Sequence, residues 1–143
     1  MKIKPLFIWA GGKSKMMKHY APIFPSSFDV EINSYSEPFF GGGAMFLNVI
    51  KRYSLKECYI NDINKGLIGI YTSIRDDVDT FCEIMDEREK EYLPLDKDNR
   101  EKFFYKLREE NAWDYEKWSL VEDRAALYFL MKTAFNGIWQ INK

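Results

Sequence analysis

The run Tyr35-Ser36-Glu37-Pro38-Phe39-Phe40-Gly41-Gly42-Gly43-Ala44 reads as the end of a buried strand, a glycine turn and the start of a helix. Three consecutive glycines remove every β-carbon from the turn, so the backbone can take left-handed angles and approach a ligand closely. A helix predicted over residues 44–53, with Phe46, Leu47, Val49 and Ile50 at helical spacing, points its free amides and the positive end of its dipole at that turn. Open α/β sheets hold adenosine-containing cofactors in this way, at the carboxyl ends of their strands. The same residues would also serve a tight strand-to-helix turn with no ligand.

The residues beyond the turn favour the first use. Residues 34–40 and 57–61 are the two predicted strands, and Asp62 closes the second. Asp62 lies about twenty residues beyond the glycines, the distance at which a carboxylate can reach ribose hydroxyls. A carboxylate accepts two hydrogen bonds from a vicinal diol. Its alternative role is to cap the next helix, residues 65–75, for which Asn64 is an equally good cap.

Upstream, residues 5–13 form a short apolar run closed by Gly11, Gly12 and Lys13, and Ser14 could cap a helix to about Tyr20, ending before Pro22. Gly12-Lys13-Ser14 matches the end of a phosphate-binding loop, but Phe7 stands where its first glycine belongs. Trp9 beside Gly-Gly-Lys is either a core residue or a ligand contact. His19 is the only histidine, and no serine or cysteine triad can be built on it.

From Asp76 the texture becomes charged and helical. Helices are predicted over residues 76–92, 99–110 and 119–135, with an aromatic-rich loop at 111–118 and a Ser119-x-x-Glu122 capping box. The chain is read as residues 1–75, a cofactor-binding part, and residues 76–143, a helical subdomain inserted after the second strand. Asn136-Gly137 followed by alternating apolar and polar residues looks like the opening arm of a hairpin with no return arm, so the chain reads as truncated.

The 143 residues suffice for a domain with a real core, and 46% hydrophobic and 30% charged residues are ordinary for a globular protein. A net charge of −1 does not make the whole chain an electrostatic nucleic-acid binder, so any grip on DNA must come from a local patch. The two cysteines, Cys58 and Cys82, have neither zinc-site nor disulfide-framework spacing. No apolar run is long enough for a bilayer and no signal-peptide apolar region is evident, so no membrane partner is expected and the cytoplasm is the expected compartment.

Four stretches together resemble the Dam-type adenine-specific DNA methyltransferases: Trp9-Ala-Gly-Gly-Lys13, Glu37-Pro-Phe-Phe-Gly-Gly-Gly-Ala44, Asn61-Asp-Ile-Asn64, and Phe135-Asn-Gly-Ile138 with Asn142. The resemblance implies an α/β fold, a partial Rossmann-like sheet binding S-adenosylmethionine, with a helical target-recognition subdomain inserted in it and double-stranded DNA as partner. It implies that Trp9 packs near the cofactor, that Lys13 reaches its carboxylate and that Asp62 holds its ribose. Glu37, Phe39 and the turn at Phe40, Gly41, Gly42 and Gly43 would lie beside its methionine part. Phe135 and Asn136 would face DNA, with Phe135 able to wedge beside a flipped base.

The sequence departs from that family in two places. The family's catalytic Asp-Pro-Pro-Tyr is absent. An exocyclic adenine amine is a poor nucleophile, and that motif stacks the extruded base and accepts its hydrogen bonds. Catalysis by this chain alone is therefore not expected, and a separate carboxyl-terminal catalytic half is the implied partner. Gln140 stands where the best-known members have an arginine that reads guanine. Glutamine pairs best with adenine, so their target site does not carry over. The competing expectations are a catalysis-free cofactor- or DNA-binding module and a nucleotide-binding enzyme using Lys13 as a phosphate lysine.

Overall fold

The computed structural model describes residues 4–9, 11–28, 30–110 and 120–137. The chain divides into two compact units, Met1–Ile63 and Asn64–Lys143.

The first unit opens with a 3-10 turn at Lys13–Met16, a single α-helical turn α1 (Met17–Tyr20) and a second 3-10 turn at Ala21–Ile23. The predicted helix thus continues past Tyr20. Pro22 lies in the first turn of the second 3-10 segment, where its missing amide breaks no helical bond. Strands β1 (Ser34–Glu37) and β2 (Glu57–Ile60) pair in parallel, with Ser34 opposite Glu57 and Glu37 opposite Ile60. Helix α2 (Ala44–Arg52) joins them. Both strands are shorter than their periodicity suggests, because the ladder leaves its register after Glu37, where the Phe40 amide rather than that of Phe39 reaches the Asn61 carbonyl. Beyond the strands two further bonds run between the chains, from the Asn61 amide to the Glu37 carbonyl (2.9 Å) and from the Phe40 amide to the Asn61 carbonyl (3.0 Å).

Of the eight strand residues only Glu37 is buried. The expected buried strand is therefore open on most of its surface, whereas parallel sheets are normally covered on both faces. The core of this unit lies instead between α2 and the amino-terminal segment, where Phe7, Met17, Phe40, Ala44 and Val49 are buried. Phe24 and Phe28 stack at 5.4 Å and both pack edge-on against Tyr53, just past the end of α2.

The second unit comprises α3 (Lys65–Asp76), α4 (Val78–Tyr92), α5 (Lys97–Glu110) and α6 (Val121–Thr133). Helix α6 is its centre and packs on the other three. Its buried run Ala125, Ala126, Leu127, Phe129, Leu130 and Met131 covers more than one face, as a central helix requires. Asn64 caps α3 by accepting from the Gly66 amide, and Asp77 caps α4 by accepting from the Thr80 amide. The expected capping box on α6 is displaced. Leu120 occupies the cap without a side-chain bond, which moves Glu122 one position closer to the helix start, and Ser119 lies outside the described residues. The predicted aromatic loop at 111–118 also lies outside them. Among the described residues no helix is long and apolar enough to cross a membrane.

Candidate functional site

The glycine turn takes the conformation its sequence requires. Gly41 and Gly43 have φ of 57° and 74°, in the left-handed region that a Cβ disfavours. Gly42 needs no such angle but has no room. A Cβ there would lie 3.1 Å from the Trp9 Cβ and 3.6 Å from the Phe7 carbonyl oxygen, and one on Gly41 would lie 3.0 Å from Trp9 Cδ1. Trp9 is thus packed directly onto the turn. Gly41→Ala should destabilise the chain by about 1–2 kcal/mol from backbone angle alone, with a further cost from moving the indole. Urea denaturation measures it, and an unchanged midpoint would mean the turn can change conformation at no cost.

Asp62 sits at the same end of the sheet. Its Oδ2 accepts a hydrogen bond from the Gly41 amide at 2.8 Å. Asn64 accepts from the Gly66 amide in the first turn of α3. Of the two uses weighed for Asp62 from sequence, the helix cap is filled by its neighbour, and the carboxylate is directed to the turn.

Glu37 is the buried junction behind the turn, at 5% exposure. Its Oε2 accepts from the Tyr35 hydroxyl and from the Phe46 amide, both at 3.0 Å. Phe46 lies in the first turn of α2, whose cap residue Gly43 has no side chain to offer. Glu37 therefore supplies both the acceptor and the negative charge that this helix start favours. Lys13 Nζ approaches Glu37 Oε1 at 3.4 Å and donates to the Phe39 carbonyl at 2.7 Å, which ties the amino-terminal segment to the turn. Burial first, then the Glu37 charge, push the Tyr35 hydroxyl well above its usual range, so it stays a neutral donor.

These residues surround one cavity of about 170 Å³, lined by Trp9, Gly11, Gly12, Lys13, Phe39, Phe40, Gly41, Gly42, Ala44 and Asp62. Whole ligand sites usually measure about 300–1,000 Å³, so this one accommodates a portion of such a ligand. Seven of the nine sequence-selected cofactor residues line it. Gly43 completes the turn and Glu37 is buried outside the lining. Phe39 is 79% exposed, while Phe40 is fully buried against Phe46. Sequence reasoning missed Tyr35, although its position two residues before Glu37 on one strand put both on the same face.

The donor set suits a zwitterionic adenosine-type molecule. It offers a carboxylate for a diol, an ammonium for an acid group, and a turn without β-carbons where a chain can lie close. Among the described residues no group of three His, Cys, Asp or Glu side chains could hold a metal ion.

The residues selected for DNA contact fall in the second unit. Phe135 is 87% exposed, in a short turn at Phe135–Gly137. Asn136 and Gly137 both have positive φ, 54° and 66°, the pair of angles that an Asn-Gly hairpin turn uses. Gln140 lies outside the described residues.

The chain belongs to the D12 class N6 adenine-specific DNA methyltransferase family, whose model matches residues 9–143. It is 34% identical over 144 residues to the type II methyltransferase M.MjaIII of Methanocaldococcus jannaschii, covering 100% of this chain and 50% of that protein. It is 27% identical over 143 residues to the type II methyltransferase M1.LlaDCHI of Lactococcus lactis subsp. cremoris, covering 99% and 45%. It is 29% identical over 143 residues to the DNA adenine methylase of Haemophilus influenzae, covering 99% and 44%. The chain thus spans about half the length of these relatives.

Proposed function

We propose that this chain is the S-adenosylmethionine-binding portion, with part of the DNA-recognition portion, of an adenine-specific DNA methyltransferase. The observation that carries the proposal is the Asp62–Gly41 hydrogen bond, because it brings the acid, the glycine turn and Lys13 onto one cavity. In this assignment the parallel pair is part of a Rossmann-like sheet. Residues 1–75 are its cofactor-binding part, and residues 76–143 are an inserted, helical target-recognition subdomain.

When bound, the cofactor supplies the methyl group carried on its sulfonium. Asp62 would hold the ribose hydroxyls, and Lys13 would neutralise the methionine carboxylate. The turn at Phe40, Gly41, Gly42 and Gly43 would lie along the methionine part with Phe39, and Trp9 would close one wall. Glu37 would act at the same end, fixing Lys13 and the start of α2. Phe135, Asn136 and Gln140 would meet double-stranded DNA. The missing Asp-Pro-Pro-Tyr favours a second form of the proposal, in which the chain binds cofactor or DNA and depends on a carboxyl-terminal half for the chemistry.

Calorimetry with S-adenosylmethionine tests the assignment. Asp62→Ala should weaken binding roughly tenfold or more, through loss of ribose hydrogen bonds worth about 1.5–3 kcal/mol. Asp62→Asn separates this from the bond to Gly41. Its carbonyl can still accept from the Gly41 amide, but its amide group cannot accept from a diol. Both variants should bind weakly. Equal affinity of Asp62→Asn and wild type would reduce Asp62 to a clasp on the turn. ATP should not compete through Lys13, since Phe7 stands where a phosphate-binding loop has its first glycine.

A further inference from the structure

Charge is divided unevenly along this chain. The unit Met1–Ile63 holds eight Lys and Arg against five Asp and Glu, a formal +3. The unit Asn64–Lys143 holds thirteen against seventeen, a formal −4. The net charge of −1 hides this opposition, and the acidic unit is the one that carries the helices assigned to target recognition.

Within the basic unit the cations are concentrated further. The first 28 residues contain five lysines and no acid, and no acid occurs between Glu37 and Glu57. The structure packs these two acid-free stretches together. Lys13 is bonded beside the amino-terminal end of α2, and Phe24 and Phe28 pack on Tyr53 beyond its carboxyl-terminal end. The segment 13–28 therefore meets α2 near both of its ends. Lys15 and Lys18 are exposed on the first element, and Lys51 and Arg52 are exposed on the second. Among the described residues none of these four side chains is paired with a carboxylate. Of the other acids in the unit, Glu37 is buried and Asp62 is bound to Gly41, while the exposed Glu31 and Glu57 lie outside both acid-free stretches.

We propose that the layer formed by the 13–28 segment and α2, through Lys15, Lys18, Lys51 and Arg52, is a phosphate-contacting face for duplex DNA. The choice of DNA rests on the methyltransferase assignment above. The face places the non-sequence-specific grip on the cofactor-binding unit, leaving the acidic helical unit to contribute base contacts. Lysine and arginine are suited to this, because neutralised phosphates release counterions whatever the base sequence.

The test is fluorescence anisotropy of a labelled duplex at salt concentrations from about 50 to 200 mM. If each of the four cations meets one phosphate, replacing all four by glutamine should flatten the slope of log K against log salt by about 3.6. Wild-type affinity should then fall about 150-fold more than that of the variant over that range. Lys15→Gln/Lys18→Gln, a milder pair, should flatten the slope by about 1.8, and Lys102→Gln/Lys106→Gln on α5 should leave it unchanged. S-adenosylmethionine affinity, read by calorimetry on the same proteins, should stay at the wild-type value. An unchanged slope in the four-residue variant would overturn the proposal, as would an equal effect from the α5 pair. Wild-type protein that binds anionic vesicles but no duplex at low salt would also overturn it. Because cofactor affinity is measured separately, failure of the DNA face is distinguishable from failure of the cofactor assignment.

Discussion

Incubated with unmethylated duplex DNA and radiolabelled S-adenosylmethionine, the 143-residue chain should transfer no methyl group. Cavity, glycine turn and Asp62 position one reactant. The other reactant, the adenine amine, has its lone pair delocalised into the ring and must be extruded, stacked and hydrogen-bonded before it can attack. Nothing in the sequence supplies the Asp-Pro-Pro-Tyr that does this in the family it resembles. The carboxylates nearest the cavity are committed elsewhere. Glu37 is buried with Tyr35, Phe46 and Lys13 as partners, and Asp62 holds Gly41. Orienting a catalytic group against its substrate is worth up to about 7–11 kcal/mol of the barrier, so omitting one lowers the rate by orders of magnitude. Adding a separately expressed carboxyl-terminal half carrying the motif should restore transfer. Robust turnover by the chain alone would show that another residue accepts the amine's hydrogen bonds.

Replacing Glu37 with alanine should cost about 2–4 kcal/mol of unfolding free energy, a large share of the roughly 5–15 kcal/mol that holds a domain together. The carboxylate accepts from an α2 amide and a tyrosine hydroxyl, and hydrogen bonds to a charged group are worth about 1.5–3 kcal/mol each. Removing it leaves the Phe46 amide and the Tyr35 hydroxyl without their acceptor. The Lys13 contact adds little, because at 3.4 Å and with a third of its side chain exposed it is screened by water. Glu37→Gln should cost roughly half as much, since its carbonyl still accepts while the charge at the helix start is gone. Urea denaturation followed by far-ultraviolet dichroism reads both. A loss below about 0.5 kcal/mol for the alanine variant would mean that water replaces the carboxylate at no cost.

Local chemistry made most of the elements legible. Three glycines, an apolar stripe at helical spacing and Asp62 were enough to mark strand, turn, helix and strand, because each depends on neighbouring residues only. Asn64 likewise acts within a turn of its own position. The capping box failed for the same reason it was attractive. Ser119 and Glu122 have the right spacing, but spacing does not fix where a helix begins when its buried face sets the register, and α6 begins at Val121 with Leu120 as its cap.

The amino-acid sequence by itself determined the family, the strand–turn–helix–strand order and the residues that could surround a cofactor, since those follow from motif order and short-range backbone preference. Only the tertiary structure decided what the charged side chains do. Glu37 and Lys13 stand 24 residues apart, and Asp62 lies 21 residues from Gly41. Spacing brings Asp62 to the end of the sheet where the turn lies, but the bond it makes to the Gly41 amide and the pairing of Lys13 with Glu37 need the chain between them to fold. The same holds for Trp9, whose ring occupies the space left by the missing β-carbon of Gly41, and for the amino-terminal lysines. In sequence those lysines are a scattered run, and only the fold brings their segment against α2, which carries Lys51 and Arg52. Burial and partners are properties of the folded chain, and they assign Glu37 to the helix start and leave Lys15 and Lys18 to water.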